Sequence, residues 1–408
     1  MCHMTRTLTF LCMCAMFLTG ALVAQATPFF DRGTINPGIP GPYNYPSVGA
    51  NADGSVVYCV FTQYVGQNLY IMRSTTNGQQ WDAAQFVAES SDPFGGPYVA
   101  VNPSNGHLTI LVTKCITPYV STKIVKITGY YDEQNQVYHW DTPVELNIAH
   151  AYPCVNAGGP VWINYTTVVM GFSWEWNADQ GQPVDNEPDM LMKAGLLVST
   201  DGGLNWTISN DVPAAFSLDE PAAAIEQDGR LFMVMRTHTT PPYETRSSDL
   251  GQTWDTPQAS QLTAAESPAA LLRLQDGIML RAWNNSAIPY DRSLLSMAYT
   301  NDNGATWNPS PPQTVFAYNL PEEFAFYPSM VQTVDGNILI VYNEQTVTEK
   351  CIGYARFNEE WVTSGTPPTF SVTLNTTPAS PQPAGTTVTL SATATGGSGT
   401  VQYQFLEG

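Results

Sequence analysis

Positive charge is scarce in this chain: 15 Lys and Arg stand against 35 Asp and Glu, a formal net charge of −20. That balance excludes the electrostatic footprint of a nucleic-acid binder and disfavours anionic membrane surfaces. An acidic surface serves solubility. It leaves room for an anionic small-molecule ligand, because a local Arg cluster can override a field screened within about 10 Å. Sustained 3.6-residue periodicity is also missing, which excludes a helical architecture. The five His show no metal-ligand spacing, and there is no G-x-S-x-G, phosphate loop or zinc motif. No cofactor or metal is therefore expected. Long apolar runs are confined to the N-terminus, where Arg6 precedes Leu8–Val23 and Ala24-Gln25-Ala26 follows. This predicts a signal peptide over residues 1–26, cleaved after Ala26, and a secreted, periplasmic or cell-surface protein. A retained membrane anchor is the alternative. No other segment is apolar enough to span a bilayer, so no membrane insertion is expected after cleavage.

What is abundant is Gly and Pro, 31 of each, with 43% hydrophobic residues. Many short strands and tight turns account for that profile. One octapeptide is the key: Ser247-Ser248-Asp249-Leu250-Gly251-Gln252-Thr253-Trp254, of the form S-x-D-x-G-x-T-W. Related boxes run Ser199–Trp206, Thr300–Trp307 and, frayed, Ser74–Trp81. Asp and Gly supply turn chemistry, and the Trp closes over the hairpin base. Recurrence at about fifty residues signals a repeat architecture.

Each copy opens on a Pro-led apolar strand, at Pro46, Pro97, Pro160, Pro221, Pro268 and Pro328. Asp-Gly follows in four copies and Asn105-Gly106 in the second, while the third lacks the signal. A Trp ends each copy: Trp81, Trp140, Trp206, Trp254, Trp307 and Trp361. Six openings and six closures predict an all-β, six-bladed β-propeller, whose ring hides sheet edges. The propeller is expected over residues 27–362, with residues 27–41 wrapping it. A linker is expected at 363–369. Residues 370–408 read as the start of an immunoglobulin-like or PKD-like β module, with strands at Phe370–Leu374, Thr386–Leu390 and Val401–Phe405, or else as a Thr/Ser stalk. Cys59, Cys115, Cys154 and Cys351 survive signal cleavage. They are either free thiols or, for Cys115 with Cys154 on neighbouring blades, a disulfide.

The position 15 residues after the blade Pro is Phe61, Glu175, Arg236 and Asn343 in blades one, three, four and six. With one more residue it is Thr113 and Asn284 in blades two and five. If these side chains converge, the funnel holds Glu175, Arg236, Asn284 and Asn343, a mixture suited to hydroxyl-rich ligands. Trp174 and Trp176 flank Glu175. They either stack on sugar rings and raise its pKa toward that of a general acid, or pack between blades.

The boxes and the six-fold repeat resemble the sialidase superfamily of BNR or Asp-box propellers, which cleave terminal sialic acids. The resemblance covers most of residues 42–362. Asp boxes are turn-forming residues on the blade periphery, so the site is sought elsewhere. Glu220 before Pro221, and Arg236 beyond the Asp228-Gly229 turn, look like the family's nucleophile-assisting Glu and carboxylate-binding Arg. Arg292 resembles a second triad Arg. Tyr327 before Pro328 falls where the family keeps its Tyr nucleophile. Such a Tyr is an exception to the usual pair of carboxylates, and Glu220 would take the phenolic proton.

Three positions depart from the family. Asn44 stands where its first Arg precedes the Pro. Val60-Phe61-Thr62-Gln63 offers no general-acid Asp. Asn343 stands where a Glu braces the first Arg, with Glu344 one step on and thus facing the other side of a strand. Asp219, Glu266, Glu322 and Glu323 are possible replacement acids, and Arg32 and Arg246 possible replacement cations. The resemblance thus implies an exported sialidase-like glycoside hydrolase acting on terminal glycans. The alternatives are a non-catalytic glycan-binding propeller and a hydrolase for another sugar. Glycans or glycoconjugates are the expected partners; the oligomeric state is left open.

Overall fold

The computed structural model describes residues 27–63, 67–155, 158–184, 189–238, 241–318, 323–364, 371–377 and 389–395. The expected signal peptide, Glu322 and the expected strand at Val401–Phe405 lie outside them. Six antiparallel sheets form the blades. Their innermost strands are Tyr43–Ala50, Phe94–Val101, Val161–Trp162, Asp219–Ile225, Ala270–Arg273 and Phe324–Gln332. Each is an edge of its sheet, which is where a Pro without a donor is tolerated.

Blade six takes its outer strand from the N-terminal segment. Phe30–Ile35 pairs antiparallel with Lys350–Phe357, from Phe30 opposite Phe357 to Ile35 opposite Ile352. The segment expected to wrap the ring therefore closes it. Phe30 stacks on Trp361 at 4.5 Å, and the Phe29 N–H donates to Asn358 Oδ1 at 2.8 Å.

The Asp boxes link third to fourth strands. In the fourth blade, Ser247 Oγ accepts the Gly251 N–H at 2.8 Å, and Asp249 accepts from the backbone and hydroxyl of Thr253 at 2.8 and 2.6 Å. Thr300 and Asp302 repeat the pattern in the fifth. The Trp indole donates back to the box Gly carbonyl at Gly78 and Gly203. These groups satisfy one another locally, which is why the box is a fold signal.

A separate hydrophobic cluster fills each of the six blade–blade interfaces. Leu69, Val99 and Ile110 join blades one and two; Ile35, Val48 and Leu339 join six and one. Blades approach closely where small residues allow it. A Cβ on Gly171 in blade three would lie 1.8 Å from the Pro221 carbonyl oxygen in blade four.

Residues 371–377 and 389–395 pair as two antiparallel strands. All four described cysteines are free thiols, so the Cys115–Cys154 pairing is not formed. No described helix is long and apolar enough to cross a membrane.

Because Pro221 adjoins Glu220, Gly171→Ala is expected to cost on the order of 3 kcal/mol through overpacking. It should disturb ligand binding as well. Gly159→Ala, where a Cβ meets nothing within 4 Å, is the near-neutral control. Thermal denaturation of both variants checks this.

Candidate active site

The residues before three of the blade prolines adopt the left-handed backbone that non-glycine residues avoid: Tyr45 at φ 52°, Glu220 at 42° and Tyr327 at 55°. Each sits at a β-bulge, between Asn44 and Ser47, Asp219 and Ala222, and Phe326 and Ser329. A bulge re-aims a side chain out of the pleat. These three turn toward one mouth of the ring. Tyr327 Oη donates a short hydrogen bond to Glu220 Oε1. The Tyr45 ring meets the Tyr327 ring edge-on, centroids 5.2 Å apart.

Arg236, opposite Asp219 in the next strand, donates from Nη1 to Glu220 Oε2 at 2.9 Å, with both side chains buried. Its Nη2 is 4.0 Å from Glu266 Oε2. Arg292 lies 5.5 Å from the Tyr327 ring centroid and donates from Nη2 to the Glu266 carbonyl at 3.2 Å. Tyr327, Glu220, Arg236 and Arg292 thus form one cluster drawn from blades four, five and six. Burial first, then the Glu220 carboxylate, holds the Tyr327 phenol well above its ordinary value, against the two guanidiniums. The phenol stays protonated until a base takes its proton.

Asp219 adjoins the cluster, with Oδ1 accepting from Ser173 Oγ and from the Glu220 N–H, both at 2.7 Å. Burial, then the neighbouring Glu220 carboxylate, pushes its pKa up to about 6.

The repeat position has a different role from the funnel expected of it. Glu175 is turned away from the site: its carboxylate accepts the N–H groups of Ala178 and Leu191 and caps the short helix Trp176–Asp179. Trp174 is buried in the core between blades two and three, stacked 3.8 Å from the His150 ring. Asn284 is a clasp, donating to the Ala325 carbonyl at 2.7 Å and accepting from Ser267 Oγ at 2.7 Å. A longer bond to the Arg292 carbonyl, at 3.4 Å, lets it position that residue. Asn343 reaches into blade one, where its Nδ2 donates to Asn44 Oδ1 and its Oδ1 accepts the Tyr45 N–H at 2.7 Å. Of the four predicted funnel residues, Arg236 alone contacts Glu220.

The proposed replacement cations lie elsewhere. Arg32 covers Phe316, and Arg246 pairs with Glu226 at 2.8 Å. Glu344 accepts from Tyr318 Oη at 3.0 Å, away from Asn44. Gln63 donates to the Pro40 carbonyl at 2.8 Å and supplies no acid. Two aromatic residues went unread in the sequence. Tyr45 carried the same signal as Glu220 and Tyr327, a bulky residue before a blade Pro. Tyr290, on a loop 5.9 Å from the Arg236 guanidinium, carried none. Among the described residues, no group of three His, Cys, Asp or Glu is arranged to hold a metal.

The folded state holds the Asp219 proton more tightly than an unfolded chain does. Stability is therefore expected to fall as pH rises between about 4 and 6, where the unfolded carboxyl has already ionised. Asp219→Asn keeps the Oδ1 acceptor. It should flatten that slope and raise stability near neutrality by roughly 1–3 kcal/mol. Urea melts across pH 4–8 measure both effects.

No curated protein sequence matches the chain. Among solved structures, a Hadza microbial sialidase aligns at a TM-score of 0.60 and 15% identity, over 78% of this chain and 66% of that one. A Trypanosoma rangeli sialidase in complex with 2,3-difluorosialic acid aligns at 0.59 and 15%, over 77% and 54%. The chain thus spans less than two thirds of the length of either sialidase. A Penicillium chrysogenum α-L-arabinanase complexed with arabinobiose aligns at 0.55 and 13%, over 83% and 99%. Residues 66–340 match the BNR repeat-like domain, more than half of the chain, and the chain belongs to that family.

Proposed function

We propose that this protein is an exported sialidase-like glycoside hydrolase that removes terminal sugars from glycans, with Tyr327 as nucleophile and Glu220 as its base. The observation that carries the reading is the Tyr327–Glu220 hydrogen bond, with Arg236 on the far carboxylate oxygen. As the Tyr327 oxygen bonds to the anomeric carbon, Glu220 takes the phenolic proton and the glycosidic oxygen leaves with the electron pair of the broken bond. Water then bonds to the anomeric carbon as the tyrosyl C–O bond breaks, Glu220 returns its proton to the phenolate oxygen, and the proton lost by water passes to solvent, where it balances the departed leaving-group anion. A neutral phenol approaches an anionic sugar without charge repulsion. Arg236 and Arg292 would hold an anionic group by charge-assisted hydrogen bonds.

With no acid in Val60-Phe61-Thr62-Gln63, the leaving oxygen receives no proton from that side. Aryl glycosides with acidic leaving groups are therefore expected to turn over, and alkyl glycosides to lag by about 10²-fold or more. Release of 4-methylumbelliferone from a glycoside panel that includes the sialic acid conjugate tests the reading. Tyr327→Phe should lower turnover at least about 10³-fold. Turnover equal to that of Tyr327→Phe across the whole panel would exclude the hydrolase. Binding on a glycan array without turnover would instead favour a non-catalytic glycan-binding propeller.

A further inference from the structure

Blades one and two part at the mouth that holds Tyr327 and Glu220. A cavity of about 290 Å³ opens there, sharing Tyr45 with that pair. Asn44, Gln63, Thr113, Thr122 and Cys115 contribute to its wall, and none of the described residues lining it is charged. The other side of the mouth carries Arg236, Arg292, Glu220 and Glu266. The two halves therefore offer different chemistry.

The wall presents a defined donor. The Tyr45 N–H can only donate, so the Asn343 atom it meets at 2.7 Å must be the oxygen. Asn343 Nδ2 then faces Asn44, which accepts through Oδ1. That leaves Asn44 Nδ2 as the amide atom available to a ligand. One backbone N–H fixes the orientation of both amides.

We propose that this cavity is a subsite for an uncharged, hydroxyl-bearing sugar ring, oriented by the Asn44 amide donor and taken beside the sugar that Tyr327 attacks. The placement beside an attacked sugar rests on the hydrolase reading; the subsite itself does not. A hydroxyl accepts from Asn44 Nδ2 and exchanges hydrogen bonds with the Thr, Gln and Tyr groups around it. A carboxylate placed there loses hydration and meets no countercharge. The edge contact between Tyr45 and Tyr327 sets an occupied cavity against the phenol.

Cys115 is the reporter, because it is half-buried in the cavity wall, whereas Cys154, which also lines the cavity, and Cys59 are buried. In the full chain carrying Cys351→Ser, alkylation of Cys115 by N-ethylmaleimide is followed by mass spectrometry with millimolar lactose, arabinobiose or N-acetylneuraminic acid. At least one neutral disaccharide is expected to slow labelling about fivefold or more, and the acid to leave it unchanged. Asn44→Ala should weaken that protection about tenfold, while Tyr327→Phe should retain it. Protection by neither disaccharide, equal protection by the acid, or full protection in Asn44→Ala overturns the proposal. If Asn44→Ala does not fold, the contrast between disaccharide and acid on the Cys351→Ser protein decides. Protection without turnover of any aryl glycoside sinks the hydrolase and keeps the subsite; turnover without protection does the reverse.

Discussion

The site depends on one backbone device, a left-handed residue forced into a bulge just before the proline of an inner strand. Tyr45, Glu220 and Tyr327 all adopt it. In a regular strand these side chains would follow the pleat into a blade interface. Each such conformation costs on the order of 1–3 kcal/mol. The six packed interfaces around the ring offset that cost. Ser47 and Ser329, just after their prolines, add hydrogen bonds between inner strands: Ser47 Oγ donates to the Pro97 carbonyl at 2.6 Å, and Ser329 Oγ accepts the Val48 N–H at 3.1 Å. Two of the three strained positions, Tyr45 and Tyr327, thus lie beside hydrogen bonds that tie neighbouring blades.

Electrostatics then sets what the bulges can do. Asp219, Glu220 and Glu266 gather around two guanidiniums in a partly desolvated space. Arg236 keeps Glu220 oriented through one carboxylate oxygen, and the other oxygen meets the Tyr327 phenol. Asp219 accepts the Glu220 N–H, and so also supports the bulge from the backbone side. Burial first, and then the Glu220 carboxylate beside it, raise the cost of ionising Asp219, which appears as its raised pKa. Glu220 is thus held in register through its carboxylate by Arg236 and through its backbone by Asp219.

Much of this was legible in the sequence because both signals are local. The box residues satisfy their own turn, and the blade Pro marks a fixed place in each inner strand: Arg236 falls at the counted repeat position, and the resemblance to the sialidase superfamily pointed to Glu220 and Tyr327 beside their prolines. Counting failed at Glu175 for a physical reason. The repeat position lies at the end of the second strand, where side chains usually satisfy nearby backbone donors or acceptors. Asn284 and Asn343 do so across to the next blade, and Glu175 caps a local helix instead. Ring closure by Phe30–Ile35 was illegible, because its partner lies more than 300 residues away and strand pairing at that separation leaves no local pattern. Tyr45 was missed although its place before Pro46 matched that of its two partners.

The Asn44–Asn343 contact argues that the departures from the sialidase pattern belong together. An Arg and its bracing Glu form a charged pair, and replacing one alone would strand the other as an unpaired buried charge. Two amides restore complementarity, and both are buried and hydrogen-bonded to each other. The Tyr45 N–H, which Asn343 accepts, ties this neutral pair to the bulge beside the proposed nucleophile. A change of charge at that wall therefore leaves the backbone device intact. The Tyr327–Glu220 pair can therefore keep its place while the wall beside it changes from charged to neutral.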